Sequence, residues 1–348
     1  LLVSSMIVVA FVFVYVSLGM RWYARIQQSL FYVGVAGGVL FVFGLLTTGP
    51  GSFQAAFDSQ IAAWGVDASY QGILDGTSES FAPIWNTDIV AAYYLFPMLL
   101  FWIMWPVWGS TLFGEVREAG EFKKMFWVLE AALVGAGVIG MLLWPLFDMA
   151  MGWQFYQSLN YNYFVGSGQA VQWISAPTTL AAIALGGGVL AQVMAVLMAG
   201  WLYAWVGTVF LSSTRVIFAA AFDRAIPEVF AEVKTRFNSP LYAVIAMAIP
   251  AAVLTVIYFF VPDFQTLTLD ATFAIAITFF GTTLAATLLP LRRPELYSNT
   301  WISRFEPGGI PLVSIVGVVY MALLLSVFYL WAVTDVYGIN NVQSAGFM

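Results

Sequence analysis

The sequence has no cysteine and no histidine among its 348 residues. Without cysteine there is no disulfide framework, thiolate nucleophile or zinc–sulfur site. Without histidine the commonest general base, the neutral-pH switch and the usual metal ligand are gone. Charge is scarce too, at 9% of residues, where soluble domains carry about 25%. What charge there is leans acidic, with a net charge of −6 and a pI near 4.6. The basic face that a nucleic-acid partner requires is therefore missing. No initiator Met and no charged segment precedes the apolar run that opens at Leu1. That run is not a secretory signal, and this end reads as that of a trimmed chain or a fragment.

Apolar residues, by contrast, make up 61% of the chain, and the mean hydropathy is +0.89. A water-soluble fold of this length could not hide so much apolar surface, so the solvent for most of the chain is lipid. A helix needs about 20 apolar residues to cross a bilayer core of about 30 Å. Eight runs qualify as candidate spans, at about 1–19, 30–46, 90–113, 125–147, 190–222, 242–261, 271–291 and 310–331. Lipid leaves no backbone polar group a water partner, and the short alternating segments of an outer-membrane barrel are absent. The expected fold class is all-α, a polytopic transmembrane helix bundle forming a single integral membrane domain over 1–348.

Basic residues give this bundle a direction. Arg21 and Arg25 lie between the first and second runs, and Arg117, Lys123 and Lys124 between the third and fourth. Arg215, Arg224, Lys234 and Arg236 lie at or beyond the end of the fifth, and Arg292, Arg293 and Arg304 between the seventh and eighth. All twelve Lys and Arg thus fall on alternate connections. The positive-inside rule places those four loops in the cytoplasm of a multi-pass cell-membrane protein, with Leu1 and Met348 extracytoplasmic. The connection 47–89 carries Asp58, Asp67, Asp75, Glu79 and Asp88 and no base, so it is expected outside. As one helix, 178–222 would be about 66 Å long. Two crossings would strand Arg224, Lys234 and Arg236 on the wrong side, so 178–188 is expected as an in-plane or re-entrant segment leading into one long span.

Solute sites in transporters form where a membrane helix breaks near the midplane. The third run carries Trp105, Pro106, Val107, Trp108, Gly109 and Ser110 about midway. Pro106 removes a helical hydrogen bond, and Gly109 eases departure from helical angles. An ordinary proline kink is the plainer alternative. Trp102, Trp105 and Trp108, spaced by three, would line one helical face, as packing or as a gate. Gly34, Gly37, Gly38, Gly135 and Gly137 suit close helix contact. Ser212, Ser213 and Thr214, and equally Thr282 and Thr283, offer oxygens to a coupling ion or bond back to their own helix. Glu130 enters the fourth run by about two turns, where insertion scales charge about 2.5–3.5 kcal/mol for an acid at a helix centre. It is a candidate for ion coupling or gating, or snorkels to the interface. Glu115 follows the expected break and is a similar candidate, or a solvated helix end.

At the exit of the fifth run the sequence reads SSTRVIFAAAFDRAIPEVFAEVKTRFNSPLYAVIA. Thr214-Arg215, Phe218-Ala219, Asp223, Pro227 and Ser239-Pro240 resemble a pattern of the amino acid–polyamine–organocation permease superfamily. GMRWYARIQQSLFYVGVAG is similar to the entry of that family's fifth helix, and FGEVREAG to the end of its sixth, with Glu115 at the recurring acid. The resemblance covers most of the chain. It implies a five-plus-five inverted-repeat, leucine-transporter-like fold of about twelve helices, of which this chain is similar to helices four to eleven. The discontinuous sixth helix would be the third run, and the first discontinuous helix would lie outside this chain. The break here reads Trp-Pro-Val-Trp-Gly rather than the family's Phe-Ser-Gly, so substrate choice does not transfer. The second run has no Lys, which departs from some proton-coupled members.

The resemblance implies a secondary transporter of amino acids or related small solutes, and with no His, no Cys and only Glu130 clearly in a span an enzyme is not expected. It would work by alternating access in a lipid bilayer, without a cofactor or metal, with Na+ or H+ as candidate coupling ions. The alternative is a non-transporting sensor or scaffold that keeps the permease fold. Oligomeric state is not legible from these residues.

Overall fold

Continuous apolar runs without period-two alternation fold as helices, and the computed structural model is helical throughout its elements. It describes residues 2–79, 81–85, 88–115, 121–165, 176–261 and 267–334, so Leu1 and Met348 lie outside the described residues. The helices are α1 (Leu2–Ser17), α2 (Met20–Leu46), α3 (Pro50–Ala63), α4 (Tyr70–Asp75), α5 (Ile89–Tyr94) and α6 (Phe96–Ile103). A 3₁₀ helix at Trp105–Glu115 follows. Then come α7 (Phe122–Met151), α8 (Trp153–Val165), α9 (Pro177–Ala184), α10 (Val189–Phe222), α11 (Leu241–Phe260), α12 (Leu267–Arg292), α13 (Pro294–Tyr297) and α14 (Leu312–Val333).

Six of these are long and apolar enough to cross a bilayer: α2, α7, α10, α11, α12 and α14. The first apolar run gives the 16-residue α1, and the third is divided among α5, α6 and the 3₁₀ helix. At its 34 residues α10 is a single unbroken helix. The segment before it forms the short α9, whose eight residues span only about 12 Å. The turn from α9 into α10 uses Gly186 and Gly187 at φ +76° and +67°, the left-handed region open to glycine. Gly187 also abuts the Gln60 amide of α3, where a Cβ would collide.

Helices α2 and α10 form the main seam. A Cβ on Gly34 would fall 2.8 Å from Trp201, one on Gly37 2.8 Å from the Met198 amide, and one on Gly200 2.8 Å from Val33. Small residues let the two backbones approach, as lipid supplies no hydrophobic drive for the pairing. Gly38, Gly135 and Gly137 play no such part, since nothing lies within 4 Å of the Cβ each lacks. Polar groups reinforce the seam. Gln27 Nε2 donates to the Ala204 carbonyl at 2.6 Å and to Thr208 Oγ1 at 2.7 Å. The Tyr15 hydroxyl of α1 donates to Gln27 Oε1 at 3.3 Å, across a surface left open by Gly207.

The basic connections gather at one end. The α1–α2 junction at Gly19 abuts the Phe237 carbonyl. That carbonyl belongs to a tight turn closed by the Lys234–Ser239 bridge, with Asn238 at φ +50°. Lys234 Nζ hydrogen-bonds Glu232 at 2.6 Å, which raises its pKa above the ordinary value. Asp223 caps α10, and Arg224 pairs with Glu228 at 3.1 Å. In the same way Phe126, near the start of α7, shares a cavity wall with Trp301 and Phe305 of the α12–α14 connection.

The opposite end carries a cap that the sequence reading treats as connection. There α3, α4, α8 and α9 bury Phe53, Phe57, Ile61, Ile73, Leu159 and Leu180 completely, against Phe41 of α2 and Phe147 of α7. Each large apolar side chain so buried contributes about 1.5–3 kcal/mol. Phe155 stacks on Tyr70 at 4.1 Å, and the Tyr70 hydroxyl donates to the Met151 carbonyl at 2.7 Å. Burial pushes the Tyr70 pKa above its ordinary value.

Candidate functional site

Helix α6 ends at Ile103, and only Met104 separates it from the 11-residue 3₁₀ helix. Runs of 3₁₀ beyond about four residues are uncommon because their hydrogen bonds are poorly aligned, and inside a longer helix they mark a hinge or strain. Trp105 to Ser110 occupy the first turns of this segment. The side chains of Pro106, Val107 and Glu115 lie outside the described residues. A second interruption, at Leu95, separates α5 from α6.

The 3₁₀ segment faces α10. The Ser212 hydroxyl, fully buried, donates to the Trp108 carbonyl at 3.1 Å, and Thr111 Oγ1 donates to the same carbonyl at 2.8 Å. Trp105 and Trp108 stack at 6.2 Å between ring centroids, and Trp205 meets Trp105 edge-on at 6.0 Å. Trp102 does not join them. It is 63% exposed. A Cβ on Gly109 would lie 3.1 Å from Leu129 Cδ2 of α7, so this glycine sits in a narrow gap. Ser110 is exposed and has an interaction partner.

The hydroxyls of α10 divide by direction. Ser212 alone reaches the segment, whereas Ser213 donates to the Val209 carbonyl at 2.9 Å and Thr214 to the Leu211 carbonyl at 2.6 Å. These two bond back into their own helix. Thr282 does likewise, donating to the Thr278 carbonyl at 2.9 Å. Even so, Thr282 and Thr283 stand with Glu130 on the wall of a separate cavity of about 690 Å³ between α7, α12 and α14. Tyr320 completes that polar group. Among the described residues, no ion pair includes Glu130 and no cluster of acids suits a metal ion.

The structure thus separates the sequence-derived candidates into two groups, Trp105–Trp108–Gly109 with Ser212, and Glu130 with Thr282 and Thr283. Three contributors were not singled out from the sequence. Trp205 lies seven residues before Ser212, hence on the same helical face, and that spacing was a usable signal. Thr111 and Tyr320 carried none beyond being polar in apolar helices.

Broken helix, aromatic cluster and small-residue seam fit the fold that the sequence motifs imply. A search of curated proteins and a search of solved structures each returned no match. A family model described as amino acid permease matches residues 1–345. Covering nearly the whole helical bundle, that match settles the family: the chain belongs to the amino acid permeases of the amino acid–polyamine–organocation superfamily.

Proposed function

We propose that this multi-pass membrane protein carries amino acids or related small amines by alternating access, with the solute held against the broken segment at 105–110. As an amino acid permease it is a transporter of amino acids in general. The finer reading rests on one observation, the passage from α6 to a 3₁₀ segment that turns the Trp108 carbonyl to Ser212 of the neighbouring helix. Backbone at a helix discontinuity offers amide and carbonyl dipoles inside lipid depth, and such dipoles orient the ammonium and carboxylate of an amino acid. Trp105, Trp108 and Trp205 supply apolar walls for its side chain. Hydroxyls that point at this segment, Ser212 first among them, are the groups to which a coupling Na+ or H+ would be linked. On this reading the basic loops face the cytoplasm of a cell-membrane protein and both chain ends face outward.

The test is uptake of labelled amino acids into proteoliposomes, with and without sodium and proton gradients. Wild-type protein is expected to accumulate substrate under one of these gradients or by exchange. Gly109→Leu forces a side chain into the gap beside Leu129 and is expected to reduce uptake to background while membrane insertion stays normal. Uptake by Gly109→Leu at the wild-type rate would remove the solute from this segment. A wild-type protein that moves no amino acid under any gradient would instead be a sensor or scaffold.

A further inference from the structure

The carboxylate of Glu130 stands at a junction. The cavity of about 690 Å³ runs from Trp301, Ile302 and Phe305, at the end of the molecule that gathers the basic loops, to Glu130, Thr282, Thr283 and Tyr320. A second cavity, of about 440 Å³, is lined by the same four polar residues and continues to Leu100, Ile103 and Met104. Those last three residues are the end of α6 and the hinge that leads into the 3₁₀ segment. The two cavities therefore share a polar waist and together run from the basic-loop end of the bundle to Met104, the residue that precedes the candidate solute site.

We infer that this is the solute's path between that site and the basic-loop side, and that Glu130 selects along it by charge, admitting cationic and zwitterionic amino acids or amines and rejecting acidic ones. The inference rests on the transport reading above and adds to it a substrate class and a determinant outside the broken segment. Its chemistry is one-sided. Among the described residues, no Lys or Arg lines either cavity. The Thr282 hydroxyl hydrogen is already given to Thr278, which leaves its lone pairs for a guest. At the basic-loop end the wall includes Phe126, Trp301 and Phe305, and the face of an aromatic ring attracts ammonium groups and not carboxylates. A carboxylate in a narrow space with low-dielectric walls concentrates its field on whatever passes. An acid inside an apolar span is also rare, which argues for a task.

The experiment measures uptake of labelled lysine, glutamine and glutamate by reconstituted protein, three solutes alike in backbone and different in charge. Wild type is expected to favour lysine and glutamine over glutamate. Glu130→Gln is expected to lower the lysine-to-glutamine ratio about tenfold, which is about 1.4 kcal/mol, and to raise glutamate relative to glutamine. Glu130→Asp keeps the charge and is expected to restore most of the ratio, which a merely space-filling role would not require. Thr283→Lys adds a cation beside an intact Glu130 and is expected to lower the ratio as well, so the outcome does not depend on one variant's folding. If glutamine uptake persists while the ratios in Glu130→Gln and Thr283→Lys match wild type, the charge filter is overturned and the transport reading stands. The cavities are then a groove filled by lipid or another helix. If the wild type moves none of the three solutes, both fall together.

Discussion

The cap at one end of the molecule and the broken segment on the other side of α10 are built from similar residues and packed in opposite ways. In the cap, Phe53, Phe57, Ile61 and Ile73 have no accessible surface, and aromatic rings meet face to edge around Phe155. From Phe96 to Glu115 only Pro97 and Met104 are buried among the described side chains, while Trp102 and Ile103 remain exposed. The cap excludes solvent from a core of its own, much as a small soluble domain does. The segment at 96–115 is held by Ser212 on the Trp108 carbonyl, by Trp105 against Trp205, and by partly buried Leu100 and Leu112. Under the proposed alternating access, a part that would change neighbours is better served by a few weak contacts than by a sealed core.

Stability measurements on purified protein in detergent sharpen or break this contrast. Phe155→Ala removes the ring that stacks on Tyr70 and is expected to cost about 3–5 kcal/mol, seen as a large fall in unfolding temperature. Ser212→Ala deletes one hydrogen bond to a carbonyl that Thr111 still occupies, so its expected cost is about 1 kcal/mol. Its effect on uptake should exceed its effect on stability, which separate uptake and melting curves would reveal. Thr282→Ala, whose hydroxyl bonds only its own helix, is expected to stay within about 0.5 kcal/mol of wild type. A cap that tolerated Phe155→Ala better than the segment tolerates Ser212→Ala would reverse the comparison.

Part of the cap was legible. Phe53, Phe57 and Ile61 recur every four residues, an amphipathic stripe inside a connection that the acidic residues marked as lying in water. The net polarity of 47–89 masked it. The break was legible as Pro106 and Gly109, although the change of helix type begins earlier, at Met104. Close helix contact at Gly34 and Gly37 was legible, though not that α10 is the partner, whereas Gly38, Gly135 and Gly137 show that a glycine in a membrane helix need not sit at an interface.

Composition and charge order alone determined that this chain lives in lipid, how its apolar runs are spaced, and which connections carry the bases. These depend on solvation free energies that sum along the chain, whatever the helices later touch. Motif residues from Thr214 to Pro240 pointed to the family for a similar reason, as they shape one local helix exit. Only the tertiary structure decided that Ser212, and not Ser213 or Thr214, meets the broken segment, and that Glu130 lines a cavity together with Thr283 and Tyr320. In water the apolar face of a helix reveals which way it points. In a bilayer both lipid and protein interior are apolar, so rotation about each helix axis is set by shape and by a few hydrogen bonds that hydropathy does not record.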